Sequence, residues 1–577
     1  MELNEIYDPI EEYVDVFEGR FKEICHKTFE KLANEASVDI EANRQTCSEI
    51  NDNEAILGKV KRRIGGLTFF CVCLWIVFAV GIGFTIYGFM SNLLTGIISV
   101  ILSVIVLLIL LISIHPKLKT LKEERDNLES TIHNLENLAW GQMAPLNRLY
   151  DWDIFTRMMS QAVPKLEFDP FFTTQRLSEL KEIYNWDDSF NEERTVLFSH
   201  SGKINGNPFV ICRTKKMVWG EKEYTGELRI EWTEYERGSD GKIREIRRSQ
   251  TLYASIMRPI PEYFQKTRLI YGNTAAPDLI FTRKHSGYAS KQNSLSFKWK
   301  RRSLRKKSRN LKDYDFAMMT NEDFEVAFDT SNRNNNHQYA LLFTPLAQTS
   351  MMNILADNEI GYGDDFDFEK YGMINIISAL HMQEPTMDMN PDQYKKYSFD
   401  EAAKNFYDIN ASHFRAIYFA FAPLLAIPMY QQIRPHEDFH NKDIEKKSSF
   451  WEHEAFANFW GEDKFQHPAS VTENILKTEV IGSSGGESLI KVYAYGYRAE
   501  KRLTYVPVKG GDGYMHDVPV YWYEYLPVTG KGSFLLSEDN NQIQEDAPQT
   551  LRMAHIESIL GQRGHTIYRR NISSNLT

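Results

Sequence analysis

The stretch IGGLTFFCVCLWIVFAVGIGFTIYGFMSNLLTGIISVILSVIVLLILLISI, residues 64–114, contains no charged side chain in 51 positions. A helix that crosses the apolar core of a bilayer needs about 20 residues, so this stretch is too long for one crossing helix and long enough for two. The break falls at Met90-Ser91-Asn92, between two apolar blocks. The sequence therefore predicts a transmembrane helical hairpin over residues 64–114.

Basic residues flank this hairpin on both sides. They are Lys59, Lys61, Arg62 and Arg63 before it, and Lys117, Lys119, Lys122 and Arg125 after it. Segments rich in Lys and Arg next to a membrane helix stay in the cytoplasm. We therefore expect a two-pass protein of the cell (inner) membrane with both termini cytoplasmic. The acidic start, residues 1–8, contains no apolar run of the signal-peptide type.

Small residues predict how the two crossing helices pack. Ala79 and Gly83 lie four residues apart in the first helix, and Ser99 and Ser103 lie four apart in the second. With a turn at Ser91, Gly83 is expected opposite Ser99 and Ala79 opposite Ser103, where small side chains allow a close approach. The alternative is a chance spacing of small residues.

Amphipathic helical patterns continue on both sides of the hairpin. An approximate seven-residue spacing joins Leu118, Leu121, Leu128, Ile132 and Leu135 after it, and a weaker one joins Cys47, Ile50, Leu57 and Ile64 before it. These patterns predict N-terminal amphipathic or coiled-coil helices over residues 1–63 and a coiled-coil neck over residues 115–163. The alternative is an ordinary helical bundle. Either arrangement would offer apolar stripes to a protein partner or to a second copy of the chain.

The composition of the whole chain describes its larger, water-exposed part. The 577 residues carry 67 Lys+Arg against 78 Asp+Glu, and 42% of them are hydrophobic. Such a chain is neither disordered nor collagen-like, and its net charge of −11 excludes a globally basic nucleic-acid binder. Five cysteines in this length exclude a disulfide scaffold.

Beyond the hairpin the chain alternates strand-like runs with turn signals. Asn205-Gly206, residues 238–241 and residues 510–513 predict three β-hairpin turns. Residues 324–329 and 339–343 also predict strands, and the apolar run 416–430 predicts a buried core helix rather than a third crossing. The fold class expected is α+β with mainly antiparallel pairing.

These patterns divide the rest of the chain into three parts. We expect a β-rich cytoplasmic domain over residues 164–395, a helical segment over residues 396–440, and a C-terminal β-rich region over residues 441–577.

Two stretches carry a resemblance to a known family. They are VLFSHSGKINGNPFVIC (Val196–Cys212) and FEVAFDTSNRNNNHQYALLFTPLAQTSMMNIL (Phe324–Leu355). Together with the hairpin, they make residues 40–390 resemble an uncharacterised bacterial membrane-protein family of unknown function. The resemblance implies a two-helix membrane hairpin, a coiled-coil neck and a β-rich cytoplasmic domain, and no catalytic residue. The chain departs from it beyond about residue 400.

One local pattern has the spacing of a zinc site. His436-Glu437-Asp438-Phe439-His440 reads H-E-x-x-H, which on a helix places two imidazoles on one face, with Glu437 able to activate a bound water. Glu454, or alternatively Glu452 or His453, is a candidate third ligand. The alternative is a solvated connector, indicated by Pro435 and the polar residues around the motif.

A second pattern is a run of basic residues without an acidic one. The run 298–312 contains Lys298, Lys300, Arg301, Arg302, Arg305, Lys306, Lys307, Arg309 and Lys312. Without these nine cations the chain has 58 basic against 78 acidic residues. Such a cluster can bind the phosphates of nucleic acid or of anionic lipid. The alternative is a solvated loop that docks on the acidic remainder of the chain.

These observations favour an integral membrane protein with a large cytoplasmic interaction or scaffold domain, a lipid bilayer around its hairpin, and no cofactor. Two alternatives remain open. One is a membrane-tethered zinc metallopeptidase that uses the motif at residues 436–440. The other is a binder of nucleic acid or anionic lipid through the basic segment.

Overall fold

The computed structural model describes residues 6, 8–91, 93–163, 165–187, 189–237, 242–291, 294–309, 316–383, 387–433, 446–484, 486–539, 547–561 and 566–577, apart from the side chains of residues 88–91, 93 and 95. Among the described residues, helices predominate up to Ala162, and two antiparallel sheets with further helices follow. The α+β class predicted from the sequence is confirmed.

The N-terminal part is a series of helices. They are α1 (Pro9–Glu12), followed by a π-helical turn (Tyr13–Phe17), α2 (Glu18–Ala36), α3 (Ile40–Ser91), α4 (Leu93–Leu108), which continues through a second π-helical segment (Ile109–Ile114), α5 (His115–Asn147) and α6 (Ile154–Ala162). Of these, α2, α3 and α5 are the longest. Ser37, in the left-handed conformation at φ 51°, ends α2. The chain then enters α3, whose 52 residues extend about 78 Å.

α3 and α5 pack side by side next to the apolar segment. Their contact buries Ile50 and Leu57 of α3 against Ile132 and Ala139 of α5, with Leu128 and Leu135 at its margin. Lys61 adds an ion pair with Glu129 at 2.9 Å. Several residues of the predicted seven-residue spacing therefore lie in this contact.

The first sheet has seven antiparallel strands in the order β1-β2-β3-β4-β7-β6-β5. Its strands are β1 (Leu166–Phe168), β2 (Arg194–Ile204), β3 (Asn207–Arg237), β4 (Ile243–Gly272), β5 (Ile280–Arg283), β6 (Phe366–Tyr371) and β7 (Ile374–Ala379). The predicted turn at Asn205-Gly206 is confirmed, since both residues have the positive φ, 52° and 81°, that a two-residue hairpin turn requires. β3 and β4 pair on both sides of residues 238–241, which lie outside the described residues.

Short helices fill the connections of this sheet. They are α7 (Thr174–Glu182), α8 (Ser189–Glu192), α9 (Leu295–Ser308), α10 (Glu322–Phe328), α11 (Asn336–Leu342) and α12 (Pro345–Ala356). The strands predicted at residues 324–329 and 339–343 are wrong, because these residues form α10 and α11. The side chains of Asn321 and Asn335 cap the two helices, and a short apolar run does not by itself distinguish a buried helix from a buried strand.

A long buried helix joins the N-terminal helices to the first sheet. α13 (Phe399–Leu425), followed by α14 (Pro428–Gln432), is buried throughout its second half, so the prediction of a core helix is confirmed. α2 packs against it in the opposite direction, with the rings of Phe21 and Phe414 stacked at 4.1 Å. One hydrophobic core therefore contains residues of the N-terminus, the first sheet and α13.

The second sheet has five antiparallel strands in the order β11-β12-β10-β9-β8. After α15 (Phe450–Trp460) come β8 (Ile475–Ser484), β9 (Glu487–Lys509), β10 (Met515–Glu538), α16 (Gln549–Leu560), β11 (Thr566–Arg569) and β12 (Ile572–Leu576). The turn predicted at residues 510–513 is confirmed by the β9–β10 register, in which Lys509 pairs with Met515.

Candidate interaction surfaces

Most described side chains of the apolar stretch 64–114 lie on the outside of the structure. Two helical runs, Ile40–Tyr87 and Gly96–Asn147, are long and apolar enough to cross a membrane. The side chains that are more than half exposed include Phe69, Ile76, Phe84, Ile98 and Ile112. A soluble helix turns its apolar face to the core, so this outward apolar surface is typical of a segment surrounded by lipid.

Small and hydroxyl residues form the contact between α3 and α4. The hydroxyl of Ser99 donates to the carbonyl oxygen of Gly81 at 3.0 Å, and Thr85 donates to Ser99 at 3.0 Å. A Cβ at Gly81 would lie 2.5 Å from the hydroxyl oxygen of Ser103. Gly81 therefore occupies the close approach that the sequence assigned to Gly83, which has open space around it. The spacing identified the serines, but the helical rotation that selects the facing glycine depends on packing.

The motif His436-Glu437-Asp438-Phe439-His440 lies outside the described residues, so its zinc-ligand geometry stays a prediction. Its candidate third ligand is engaged elsewhere: the carboxylate of Glu454 accepts from the backbone N–H of Val196 at 3.0 Å and from Lys477 at 3.0 Å. Burial raises the pKa of Glu454 to about 7. Among the described residues no group of three or more His, Cys, Asp or Glu side chains could hold a metal ion.

Glu454 belongs to α15, a buried helix that connects the two sheets. Glu452, two residues earlier, accepts from the N–H of Phe172 and from the hydroxyl of Ser199, each at 3.0 Å. The ring of His453 lies 3.0 Å from the hydroxyl of Ser448, and burial lowers its pKa to about 4. These three side chains therefore have structural partners, and α15 supports the junction of the sheets.

The basic segment forms a helix, α9, rather than the loop considered from the sequence. Phe297 and Leu304 turn one side of it into the core, and Ser294 caps its first turn. Four of its cations contact the chain beside this buried side. They are Lys300 with Asp329, Arg301 with Asp323, Arg305 with Glu322, and Lys307 with the carbonyl oxygen of Ser331. Acidic or carbonyl groups of the same chain therefore hold four of the nine cations, as the alternative of docking on the acidic remainder expected for the segment.

The other cations point outward. Lys298, Arg302, Lys306 and Arg309 are exposed, and among the described residues no carboxylate lies within ion-pair distance of any of them. Lys312 lies outside the described residues. Phe297 and Leu304, seven residues apart, were the sequence signal that could have identified a helix with one buried face.

Two β-ribbons leave the sheets and stack on each other. We call residues 217–237, 242–263 and 498–526 the arm. β3 and β4 form the longer ribbon, since β2 stops pairing at Lys216, and about 20 further residues extend it roughly 65 Å. The β9–β10 ribbon packs on it through Tyr224, Ile230 and Leu252 against Val518 and Val520.

The other side of the β9–β10 ribbon faces solvent with large side chains. Leu503, Tyr505, Tyr521 and Tyr523 lie on one face and are all more than two-fifths exposed. Monomeric surfaces rarely expose contiguous aromatic and aliphatic patches without a partner, so this face is a candidate protein-binding surface. Strand-like runs separated by turn signals predicted the strands but did not show that two ribbons stack.

Buried ion pairs are a further group that sequence reasoning missed. Arg333, fully buried, makes a two-pronged contact with Glu325 of α10, at 2.9 and 2.7 Å. Arg283 of β5 pairs with Asp364, 81 residues away. These pairs fix the connections of the first sheet around α10, next to the basic helix α9.

Comparison of the chain with protein-family models, with curated proteins and with solved structures gave no match in any of the three. The resemblance to an uncharacterised bacterial membrane-protein family stays a prediction. The functional conclusion therefore depends on the geometry of the chain itself.

Proposed function

We propose that this chain is a two-pass integral protein of the cell membrane with both termini in the cytoplasm, where its α+β part serves as a non-enzymatic interaction platform. The observation that carries the proposal is the outward apolar surface of α3 and α4, with basic residues at both of its ends. Each helix satisfies its own backbone hydrogen bonds, which is the requirement for a segment inside lipid.

The platform role is supported by the position of the arm. A helix pair of about 20 residues separates the apolar segment from the α+β part, equivalent to roughly 30 Å. The aromatic face of the arm would then be presented to proteins of the cytoplasm. Contact of the α3–α5 pair with a second copy of the chain is the other association that this proposal allows.

Replacing Ile76 by arginine is expected to weaken membrane insertion. Ile76 lies near the middle of the apolar part of α3 and is 58% exposed, and arginine there costs about 2.5–3.5 kcal/mol on insertion scales. The measurement is extraction of membranes with alkaline carbonate, which leaves the wild-type chain in the pellet. The matched control is Ile56→Arg, which changes a 45% exposed residue of the same helix outside the apolar segment and should stay in the pellet.

Release of the wild-type chain by carbonate would contradict the membrane assignment. A reporter fused to the C-terminus and located outside the cell would contradict the orientation.

Replacing Gly226 by valine is expected to separate the two ribbons of the arm. A Cβ at this position would lie 2.1 Å from the carbonyl oxygen of Pro519, so the ribbons cannot remain stacked as they are. Overpacking of this kind costs about 1–3 kcal/mol. We expect faster proteolysis within residues 498–526 and loss of the protein complexes that cross-linking recovers from membranes containing the wild-type chain.

Thr225→Val is the control, because the neighbouring Thr225 points to solvent from the opposite side of the same strand. Equal proteolysis of both variants would show that the ribbons do not depend on this contact. Undiminished cross-linked complexes in a chain with separated ribbons would remove the arm from the interaction platform.

A further inference from the structure

The cations of α9 that bind groups of the same chain and those that face solvent lie on different sides of the helix. At about 100° per residue, Lys298, Arg302, Lys306 and Arg309 fall within one arc of about 100° together with Leu295 and Trp299. The four cations held by the chain fall outside this arc, beside Phe297 and Leu304. We call the arc of six residues the outer face of α9.

Two large apolar side chains lie among the free cations. Leu295 is 75% exposed and Trp299, one helical turn later, is 68% exposed. Both side chains can leave water only by contact with another molecule, so their exposure indicates a binding surface. A helical face that combines cations with a Leu and a Trp is typical of helices that lie in the interface of an anionic bilayer. There the cations contact lipid phosphates, and the apolar side chains reach the boundary of the acyl chains.

The outer face is also preorganised. Phe297 and Leu304 fix α9 in the fold, and the ion pairs of Lys300, Arg301 and Arg305 hold its sides. The exposed groups therefore reach a ligand without first forming a helix, which removes the ordering cost that an isolated basic peptide carries.

The apolar pair distinguishes lipid from nucleic acid. Trp299 could stack on a base, but Leu295 offers a base neither a ring nor a hydrogen bond. A bilayer surface uses both side chains and all of the cations. Each cation near an anionic surface contributes about 1 kcal/mol, so the face alone gives weak binding.

We propose that the outer face of α9 docks on the surface of an anionic lipid bilayer, with Leu295 and Trp299 at the boundary between headgroups and acyl chains. This inference concerns a contact separate from the hairpin and from the arm, so it can fail while the membrane anchor stands.

The test uses the full chain held in nanodiscs of neutral phosphatidylcholine, which surround the hairpin and leave α9 free to bind added vesicles. Vesicles of phosphatidylcholine with about one third phosphatidylserine are added, and co-flotation is measured against vesicles of phosphatidylcholine alone. We expect co-flotation with the anionic vesicles only, and its decrease as salt is raised.

Neutralising the outer face by Lys298→Gln, Arg302→Gln and Lys306→Gln is expected to weaken vesicle binding about 100-fold. Leu295→Ser with Trp299→Ser, which keeps every charge, is expected to weaken it by about tenfold or more. The matched control is Lys22→Gln, Lys27→Gln and Lys31→Gln on the exposed side of α2, which removes the same charge and should keep wild-type binding.

Equal loss in the α2 control would show that only net charge matters and would overturn the assignment to α9. Equal binding to neutral and anionic vesicles would overturn it as well. Binding of a single-stranded oligonucleotide in place of vesicles, unaffected by Leu295→Ser with Trp299→Ser, would make the outer face a site for nucleic acid instead.

Discussion

Replacing Glu325 by alanine is expected to lower the free energy of unfolding by about 3–5 kcal/mol, because it leaves the buried guanidinium of Arg333 without its carboxylate. Both side chains are almost completely inaccessible to solvent, so water cannot replace the lost partner. Denaturant unfolding of the detergent-solubilised chain, followed by near-UV circular dichroism, measures the change in midpoint.

The same helix provides the control. Glu322, three residues before Glu325 on α10, pairs with Arg305 on the surface. Glu322→Ala should cause a much smaller loss, since solvent screens an exposed pair. Replacing both buried partners, Glu325→Leu with Arg333→Met, should recover much of the stability lost in the single variant. A single variant as stable as the wild type would show that the buried pair contributes nothing to the fold.

This pair also shows what the sequence could not provide. The uncharged run 64–114 and the Asn205-Gly206 turn are local signals, and each determined the structure at its own position. The partners of buried ions are distant in the sequence. Arg283 pairs with Asp364, and the residues around one of them do not predict the other as its partner. A charged residue inside an apolar run, such as Glu325 among Phe324 and Val326, predicts that a partner exists and leaves its identity open.

The interaction surfaces could be predicted only in part from the sequence, because they too depend on contacts between distant segments. Charge counting found the basic segment, but burial of Phe297 and Leu304 decides which of its cations are used inside the chain and which are free. Val518 and Val520 are two residues apart on β10 and therefore share a face, and only the fold shows that this face covers the β3–β4 ribbon. Sequence patterns give the two faces of an element, whereas the occupant of each face follows from contacts between distant segments.

Replacing Lys370 by methionine is expected to remove a pH dependence of stability between about pH 7 and pH 9. The ammonium of Lys370 is buried and donates to the carbonyl oxygens of Ala275 at 3.0 Å and Gly372 at 2.7 Å. Within the described residues no carboxylate pairs with it, and burial lowers its pKa from 10.5 to about 7. The unfolded chain therefore keeps a proton that the folded chain releases.

The direction of the change in stability with pH follows from this lowered pKa. The contribution of Lys370 to stability is complete only above its unfolded value of 10.5 and is lost as the pH falls through about 7. The free energy of unfolding of the wild type should rise by about 2 kcal/mol from pH 7 to pH 9 through this residue, and the rise should be absent in Lys370→Met. Lys222→Met, which removes an exposed lysine of the arm, should keep the wild-type slope.

The comparison with Lys370→Met separates Lys370 from the other buried groups, which titrate at the two ends of this pH range. Glu454, with its pKa raised from 4.5 to about 7, contributes stability below pH 4.5 that is lost as the pH rises, and this loss is nearly complete at the lower limit of the range. Burial raises the pKa of Cys25 and Cys212 from 9.0 to about 12, so their stabilising contributions are complete well below pH 9 and begin to decline as the pH approaches 9. A free energy of unfolding that rises from pH 7 to pH 9 in the wild type relative to Lys370→Met therefore reports the buried ammonium, whereas equal slopes would place a charged Lys370 in the folded chain throughout.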